Sequence, residues 1–531
     1  MSCLTCRNCG FVNLLPPVPH IPQILKAIQS TDEIVSQLLR GLRPLLDADH
    51  AFLDAEIMNL KQLWSWYEAL VQEIELYRPT VMKELKHRES VYVPIRRLPR
   101  EILIEIFHSI CDSWWQDRQD GKVNFKYDSL DVTGPLWILG RVCGLWRNIL
   151  HTSPASWARY IVVTSPFYNH SRETLQTYLR HTGEHPLSLV INFTRGHYPR
   201  EGEVMPLLVQ SCYRWKNVHI HITMAHTRYL ESISYLPVLQ TINIHIMDAY
   251  RFDHSSDMCL NAPQLWQATL AHGIHQIRLP PTITHYSGCI TSAKDLQLLS
   301  QLPKLRTCHV ESSRLVLDSI QESPVVIPEL CQLYTDDAYA LNFLTAPMLQ
   351  SLTIAGGSPA SLSCVPTFFR RSGCHLENFS IGEAMIESDS SARISDVFSS
   401  EACSSISHLK LEIGSWWRGH ASRAFASSFA PSSILPNLQH LVLGFEERYY
   451  CNMTEWSALL DMIRSRCKAR LFKVIEVQFT EEETICPDGD IKAAIQALVG
   501  ENLEMRVEKL SPLYVDHYSF FWDQQPPVLT T

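Results

Sequence analysis

The 531-residue sequence predicts a mixed fold with three parts: an N-terminal helical hairpin, a segment of three short helices, and a long α/β solenoid. Two patterns predict it. Apolar residues recur at steps of three and four across residues 21–88, which is helical spacing. Short strand-like runs then recur across residues 186–510, which is the signature of a repeat architecture.

The composition indicates a globular protein without a general attraction to nucleic acid. Hydrophobic residues make up 46% of the chain and the formal net charge is −9. An acidic chain does not favour binding to nucleic acid or to an anionic membrane, so we predict neither as a partner. The N-terminus lacks the apolar core of a signal peptide, and no long apolar run predicts a membrane span. We therefore expect an intracellular protein of the cytoplasm or nucleus, with reduced thiols.

Residues 1–20 form a tail rich in Cys and Pro, which we predict to be flexible. Cys3, Cys6 and Cys9 stand in a Cys-x-x-Cys-x-x-Cys run with His20 downstream. Structural zinc takes four ligands, and two separate Cys-x-x-Cys pairs would be the stronger signal. Because one short stretch supplies all three thiols and the pattern does not fix a fourth ligand, we predict free thiols here, with metal binding as the alternative.

Residues 21–88 contain two apolar stripes at helical spacing. The first ends around Pro44, and the second contains Pro79, which we expect to kink or interrupt its helix. The two helices are interpreted either as a hairpin that buries the stripes against each other or as a short coiled coil between chains. The stripes consist of Ile24, Ile28, Thr31, Val35, Leu38, Leu42 and Leu45, and of Ile57, Leu60, Trp64, Tyr67, Leu70, Ile74, Tyr77, Val81 and Leu85.

The segment 92–165 combines helical patterns with a polar insertion. Pro99 suits the first turn of a helix, where its missing N–H costs nothing, and Glu101 is favourable at the same end. The insertion at 112–134 is expected to be an exposed loop, and a second helical pattern begins at Pro135. The apolar residues at helical spacing are Ile102, Leu103, Ile106, Phe107 and Ile110, and then Leu139, Val142, Cys143, Trp146 and Ile149.

This segment resembles an F-box. The family pattern is Leu-Pro-x-Glu-hydrophobic-x-x-x-Ile-Phe, a spacer, Val-Cys-x-x-Trp-Arg, and a Leu-Trp-like pair. The matching residues are Leu98, Pro99, Glu101, Ile102, Ile106, Phe107, Val142, Cys143, Trp146, Arg147 and Trp157. The run Pro-Ile-Arg-Arg-Leu-Pro and the helical segment before it are similar to F-box proteins common in mushroom-forming fungi. Two features depart from the pattern: the spacer at 112–134 is long, and Ser156 stands where Leu often precedes the Trp.

The F-box resemblance implies an SCF-type cullin–RING ubiquitin ligase. Family members use the motif to bind a Skp-type linker protein, which docks to a cullin, and other subunits transfer ubiquitin. The implied linker-binding residues are Leu98, Pro99, Ile102, Ile106, Phe107, Val142, Cys143, Trp146 and Trp157. Interface hot spots favour buried aromatic residues, so we expect Trp146 and Trp157 to matter most.

The repeats at 186–510 follow the pattern apolar, two residues, apolar, one residue, apolar, and resemble degenerate leucine-rich repeats. Each unit is expected to supply one strand whose apolar side is buried by its neighbours, which would build a recognition surface for a protein substrate. Residues 511–531 are predicted to be a C-terminal tail. The instances begin at Leu239, Leu265, Leu305, Leu330, Leu349, Leu376, Ile406 and Leu438.

The sequence offers little that indicates catalysis. It holds no P-loop, His-Glu-x-x-His or Gly-x-Ser-x-Gly motif, and we predict no catalytic residue and no cofactor. His219, His221, His226 and His245 are candidate metal ligands. His219 and His221 alternate with Val218, Ile220 and Ile222, however, which favours solvated histidines on the polar face of a strand. The expected function is a substrate receptor of a ubiquitin ligase. The alternatives are an F-box-like scaffold outside a cullin complex and an enzyme whose site is hidden in the repeats.

Overall fold

The structure is a computed structural model, and the chain divides into two compact units, Met1–Pro99 and Arg100–Thr531. The described residues are 3–5, 12–14, 26, 33–115, 128–193, 200–247, 257–270, 277–290, 292–312, 323–382, 396–413, 426–427, 429–431, 433–445, 453–468, 473–479 and 504–509.

The first unit is dominated by one long helix, α1 (Asp47–Glu89). At 1.5 Å per residue its 43 residues extend about 65 Å. Its first turn is held by Asp49, whose carboxylate accepts the Leu46 N–H at 3.1 Å and a hydrogen bond from Arg43 at 2.7 Å. The helix continues through Pro79, where the sequence predicted a kink or an interruption.

Over the described residues of the first unit, the two apolar stripes are not seen to bury each other. The helix before α1 is described over residues 33–39, and the earlier residues of the first stripe lie outside the described ranges. Large apolar side chains of α1 stay exposed, among them Trp64 at 68% and Ile74 at 55%. In the N-terminal tail, β1 (Cys3–Thr5) and β2 (Val12–Leu14) pair antiparallel, where the sequence predicted a flexible tail.

The second unit starts with four short helices and continues as strands that alternate with helices. The helices are α2 (Arg100–Trp115), α3 (Pro135–Val142), α4 (Gly144–His151), α5 (Pro154–Ala158), α6 (Ser171–His181), α7 (Glu201–Gln210), α8 (Thr227–Glu231), α9 (Ala293–Ser300), α10 (Cys364–Ser372) and α11 (Met453–Lys468). None of the helices within the described ranges is both long and apolar enough to cross a bilayer.

The strands of this unit form a 14-stranded, all-parallel sheet and one separate parallel pair. The sheet strands are β3 (Ile161–Thr164), β4 (Leu187–Phe193), β5 (Trp215–Thr223), β6 (Thr241–Met247), β7 (Gln267–Leu270), β8 (His285–Ile290), β9 (Thr307–Ser312), β11 (Gln332–Thr335), β13 (Ser351–Ile354), β14 (Asn378–Ile381), β15 (His408–Ile413), β16 (His440–Phe445), β17 (Val474–Phe479) and β18 (Glu504–Lys509). The separate pair is β10 (Val325–Val326) with β12 (Leu344–Thr345).

The order of the sheet follows the order of the chain. Each new strand adds beside the previous one, from β3 at one edge to β18 at the other, so the sheet never reverses direction. A parallel sheet that grows in one direction, with helices in the connections, is compatible with an α/β solenoid. The predicted mixed fold with a large α/β repeat region is therefore seen in its coarse form.

The predicted repeats fall on strands in matching register. Leu352 pairs with Phe379, Phe379 with Leu409, and Leu409 with Leu441, which are the second apolar positions of four consecutive repeats. These side chains are at most 1% exposed, because neighbouring strands cover them. The eight predicted strand positions are confirmed. The sheet starts earlier than predicted, at β3, inside the segment 92–165.

Strand β8 departs from the Leu pattern, and for this reason the sequence did not predict it. In β8 the two inward positions are Tyr286 and Gly288, in register with Ala268 and Leu270 of the preceding strand. A Cβ atom on Gly288 would lie 2.3 Å from the Tyr286 hydroxyl oxygen. Gly288 therefore leaves the space that the large Tyr286 side chain fills, and the two positions together replace two aliphatic residues.

Candidate functional site

The short helices of the second unit have a buried side and an exposed side. Leu103 and Phe107 of α2 are 1% and 0% exposed, and Leu139 of α3 and Leu150 of α4 are buried as well. The helices α2, α3 and α4 contact one another. Their inward residues thus form a small core, as the apolar spacing in the sequence predicted.

The outward sides of the same helices also carry apolar residues. Ile102 of α2 is 47% exposed, Ile138 and Val142 of α3 are 45% and 56% exposed, and Leu145 of α4 is 37% exposed. We call these four residues the outer apolar cluster. Apolar side chains that recur on the solvent side of three contacting helices are typical of a protein-binding surface.

The joint between α3 and α4 shapes this surface. The sequence predicted one helical run through Cys143, but Cys143 has extended geometry, with φ −160° and ψ 169°, and separates the two helices. The Arg147 side chain donates a hydrogen bond from Nε to the Gly140 carbonyl at 3.0 Å, which caps the last turn of α3. Arg147 belongs to the F-box pattern, and its role in this chain is to hold the joint.

The predicted site residues separate into surface and core. Pro99, Ile102 and Val142 are exposed, whereas Leu98, Ile106, Cys143 and Trp146 are half-buried. Phe107 and Trp157 are buried at 0% and 2%, so they support the surface from behind. Leu98 and Pro99 end the first unit, and the remaining residues belong to the second.

Two surface residues, Ile138 and Leu145, were not among the predicted site residues. Ile138 precedes Val142 by four residues, which places the two on one side of α3. Leu145 follows Val142 by three residues, but the break at Cys143 lies between them. The step of four could have identified Ile138, whereas Leu145 depended on a joint that periodicity does not reveal.

Trp157 connects the helices to the first repeat. Its indole N–H donates to the Leu150 carbonyl at 3.0 Å. Its ring contacts Trp137 edge-on at 5.3 Å and Tyr178 at 5.0 Å, and stacks on His181 at 4.7 Å, measured between centroids. Tyr178 and His181 belong to α6, which follows β3. Trp157 therefore lies at the centre of a packed aromatic cluster and not at the surface.

The insertion at 112–134 is not simply an exposed loop. Helix α2 extends through Trp115, residues 116–127 lie outside the described ranges, and Ser129 is fully buried. Ser129 donates its backbone N–H to the Val162 carbonyl at 2.8 Å, and its hydroxyl accepts the Val162 N–H at 2.9 Å. The end of the insertion thus ties the helices to β3, the first strand of the sheet.

Ser156, the departure from the F-box pattern, has defined polar partners. Its hydroxyl lies 3.0 Å from the Ser153 hydroxyl and 3.0 Å from Nε2 of His108 on α2. Burial, followed by the nearby Arg159 charge, lowers the pKa of His108, so this imidazole is neutral at physiological pH. A Leu at position 156 would leave His108 without this contact, which explains why Ser fits here.

The outward face of the sheet is polar, and its middle part is buried. Asn243, Thr269, Ser287 and His309 stand on adjacent strands β6 to β9 and are each at most 4% exposed. The Ser287 hydroxyl and the His309 Nδ1 atom are 2.9 Å apart. This stretch is therefore a packed polar layer instead of the open surface that the repeats predicted.

The candidate histidines are distributed over two places. His221 and His245 lie on the outward face with ring centroids 4.3 Å apart, and burial lowers the pKa of His221 to about 4 and that of His219 to about 3. His219, His221 and His245 are half-buried on the outward face of their strands, which is the face that the sequence predicted for His219 and His221. His226 lies off the strand and contacts Glu201 of α7, with 3.1 Å between Nε2 and Oε2. Among the described residues no His, Cys, Asp and Glu side chains group as a metal site.

The outward face of the sheet is more exposed to solvent on the later strands. Gln332 and His408 are exposed, while Thr353, Ser380 and Lys410 are half-buried. We call the outward residues of β11, β13, β14 and β15 the open polar face. Hydroxyl and amide groups, with Lys410 balanced by Glu412 on the same face of β15, favour hydrogen bonding to a protein over binding of a highly charged ligand.

Comparison with known proteins adds no assignment: no family model matches the sequence, and no curated protein matches it.

Proposed function

We propose that this chain is a substrate receptor of an SCF-type cullin–RING ubiquitin ligase. In this proposal the helices α2, α3 and α4 bind a Skp-type linker protein, and the sheet binds a protein substrate. The F-box-like motif supplies the family resemblance. The outer apolar cluster is the observation that carries the proposal, because it places apolar residues on the solvent side of the helices that hold the motif.

The packing around the cluster supports binding to a preformed partner. Phe107 and Trp157 fill the core behind the surface, and Arg147 fixes the joint between α3 and α4. A surface whose backing is already packed loses little conformational entropy when a partner binds. Catalysis belongs to other subunits in this proposal, so the chain needs no active site of its own.

The link between the helices and the sheet supports the receptor role. Ser129 bonds to β3, and Trp157 packs on α6, so the helices and the first repeat are parts of one packed unit. A substrate held on the open polar face would then keep a fixed distance from a linker held on α3. Fixed geometry of this kind favours transfer of a group between two bound proteins.

Binding to a purified Skp-type linker tests the proposal. Val142→Asp places a charge in the outer apolar cluster, where Val142 is 56% exposed, and we expect it to weaken the affinity at least tenfold. Val326→Asp is the matched control, because Val326 is 57% exposed but lies on β10 in the repeat region. Absence of binding by the unchanged chain, or equal loss in both variants, would refute the linker interface.

A second measurement separates the receptor from the scaffold alternative. Purification of the chain from cells should recover both the linker and a cullin, and Val142→Asp should lose both together. Recovery of the linker without a cullin would establish the scaffold outside a ligase instead.

A further inference from the structure

Helix α1 carries an apolar stripe that nothing in the described chain covers. Starting at Ile57, the side chains at steps of three and four follow a strict heptad for four repeats, with Arg78 as the single charged member. We call this stripe the seam. Its apolar members are between 40% and 68% exposed: Ile57, Leu60, Trp64, Tyr67, Val71, Ile74, Val81 and Leu85.

The regular three-and-four spacing of the seam, kept over four heptads, indicates that its partner is another helix. Leu63, Leu70 and Tyr77 lie beside the seam at equivalent heptad positions and widen its apolar face on one side. Four heptads are enough for a stable coiled coil. Leu63, just beside the seam, is 8% exposed and so is covered within the chain, yet its seam neighbours Leu60 and Trp64 stay exposed at 41% and 68%.

We propose that α1 pairs with α1 of a second copy of this chain in an antiparallel coiled coil. A seam of four heptads, about 42 Å long, needs an equally long apolar partner. The described part of the preceding helix, residues 33–39, leaves the apolar seam residues at least 40% exposed. The α1 helix of a second copy has the required length and the same heptad spacing, so the apolar residues of the two seams can pack against each other along their whole length.

Arg78 decides the orientation. In a parallel pair both copies of Arg78 would meet in one layer of the core, where like charges are unfavourable. In an antiparallel pair centred near residue 69, Arg78 instead lies opposite Leu60 of the second copy. Its aliphatic stem can then pack in the layer while the guanidinium reaches solvent.

The flanking charges fit the same alignment. Lys61 and Glu75 occupy equivalent positions beside the seam, two heptads apart. With the pair centred near residue 69, Lys61 of each copy lies beside Glu75 of the other, which gives two attractive contacts. One pair of Glu68 side chains meets at the centre, so the balance of the flanking charges favours this register.

The molar mass of the full chain in solution tests the pairing. We expect twice the chain mass by light scattering at micromolar concentration. Val71→Asp with Ile74→Asp charges the centre of the seam and should give a monomer. Met58→Asp with Leu76→Asp is the matched control: these residues are 66% and 69% exposed but lie about 130° and about 180° around the helix from the centre of the seam, so this variant should stay dimeric.

Three results would overturn the pairing: a monomeric unchanged chain, a dimer that survives the seam variant, or a dimer that both variants abolish. Far-ultraviolet circular dichroism checks that both variants keep their helical content. Co-purification of a different protein on the seam of a monomeric chain would identify another occupant and also contradicts the proposal.

Charge reversal tests the antiparallel register. Lys61→Glu should weaken the dimer at least threefold at low salt, because it turns two attractive contacts into repulsive ones. Adding Glu75→Lys should recover part of that loss, although Glu75→Lys alone weakens the dimer. In a parallel pair Lys61 and Glu75 never meet, so a double variant weaker than both single variants would exclude the antiparallel arrangement.

Discussion

The Phe107 ring lies 5.0 Å from the Trp146 ring, centroid to centroid and tilted by 58°, so α2 and α4 are joined by an aromatic contact. Phe107 is fully buried and Trp146 is half-buried. Phe107 therefore holds the helices together, whereas Trp146 contributes to the core with one part of its ring and to the surface with the other.

Truncation at Phe107 should therefore destabilise the protein. Phe107→Ala removes a fully buried aromatic ring, and we expect a loss of about 3–5 kcal/mol in the free energy of unfolding of this unit. Ile102→Ala, about one and a half turns earlier on the exposed side, should cost less than about 1 kcal/mol but weaken linker binding. Chemical denaturation and a binding titration of both variants check this. A stable Phe107→Ala variant would mean that the ring contributes little to the core.

Trp157 should behave as a core residue as well. Trp157→Phe keeps an aromatic ring but removes the N–H that bonds to the Leu150 carbonyl. Loss of this hydrogen bond and a smaller ring should cost about 1–3 kcal/mol, while the Leu150 carbonyl keeps the hydrogen bond from the Ser153 N–H at 3.1 Å. Linker affinity of the folded variant should stay within a factor of about two, since Trp157 is 2% exposed. A large loss of affinity at unchanged stability would restore Trp157 to the interface.

How far the sequence predicted the structure depends on what each residue has to satisfy. The Leu positions of the repeats were predictable, because a strand inside a stack must bury every second side chain. Tyr286 and Gly288 also fill the inward positions of their strand, but one has a large side chain and the other has none. The Leu pattern could not reveal this combination. The exposed faces of α1 were not predictable either, because helical periodicity shows that a face is apolar but not what covers it.

The candidate site was predicted in part for the same reason. The motif identified the helices, and Ile102 and Val142 are on their surface. Phe107 and Trp157 carry the same apolar signature yet face inward, since helical spacing does not distinguish a core residue from one that awaits a partner. The burial of Ser287 and His309 depends on packing across several strands, which single-sequence alternation does not encode.

A backbone contact at Gly382 predicts strong sensitivity to substitution. A Cβ atom at this position would lie 2.0 Å from the Ala355 carbonyl oxygen, so β13 and the chain after β14 would have to separate. We expect Gly382→Ala to lower the free energy of unfolding by at least about 2 kcal/mol. Gly144 is the control, because a Cβ there meets nothing within 4 Å, and Gly144→Ala should be neutral or slightly stabilising. Equal thermal stability of both variants would contradict the close approach.

Asp128 should make stability depend on pH. Burial raises its pKa to about 7, although its carboxylate accepts the Leu130 N–H at 2.9 Å. An unfolded Asp titrates near 3.9, so between about pH 4 and 7 the folded chain holds a proton that the unfolded chain has lost. The stability contributed by this proton is complete below pH 4 and is lost as the pH rises through 7.

Asp128→Asn removes this titration and keeps an oxygen that can accept the Leu130 N–H. We expect the variant to gain stability relative to the unchanged chain as the pH rises from 4 to 8, by up to about 4 kcal/mol. Denaturation midpoints measured at each pH give the difference. Asp461→Asn, at an exposed carboxylate that is 71% accessible, should show no such trend. A flat difference for Asp128→Asn would mean that water reaches the Asp128 carboxylate in the folded chain.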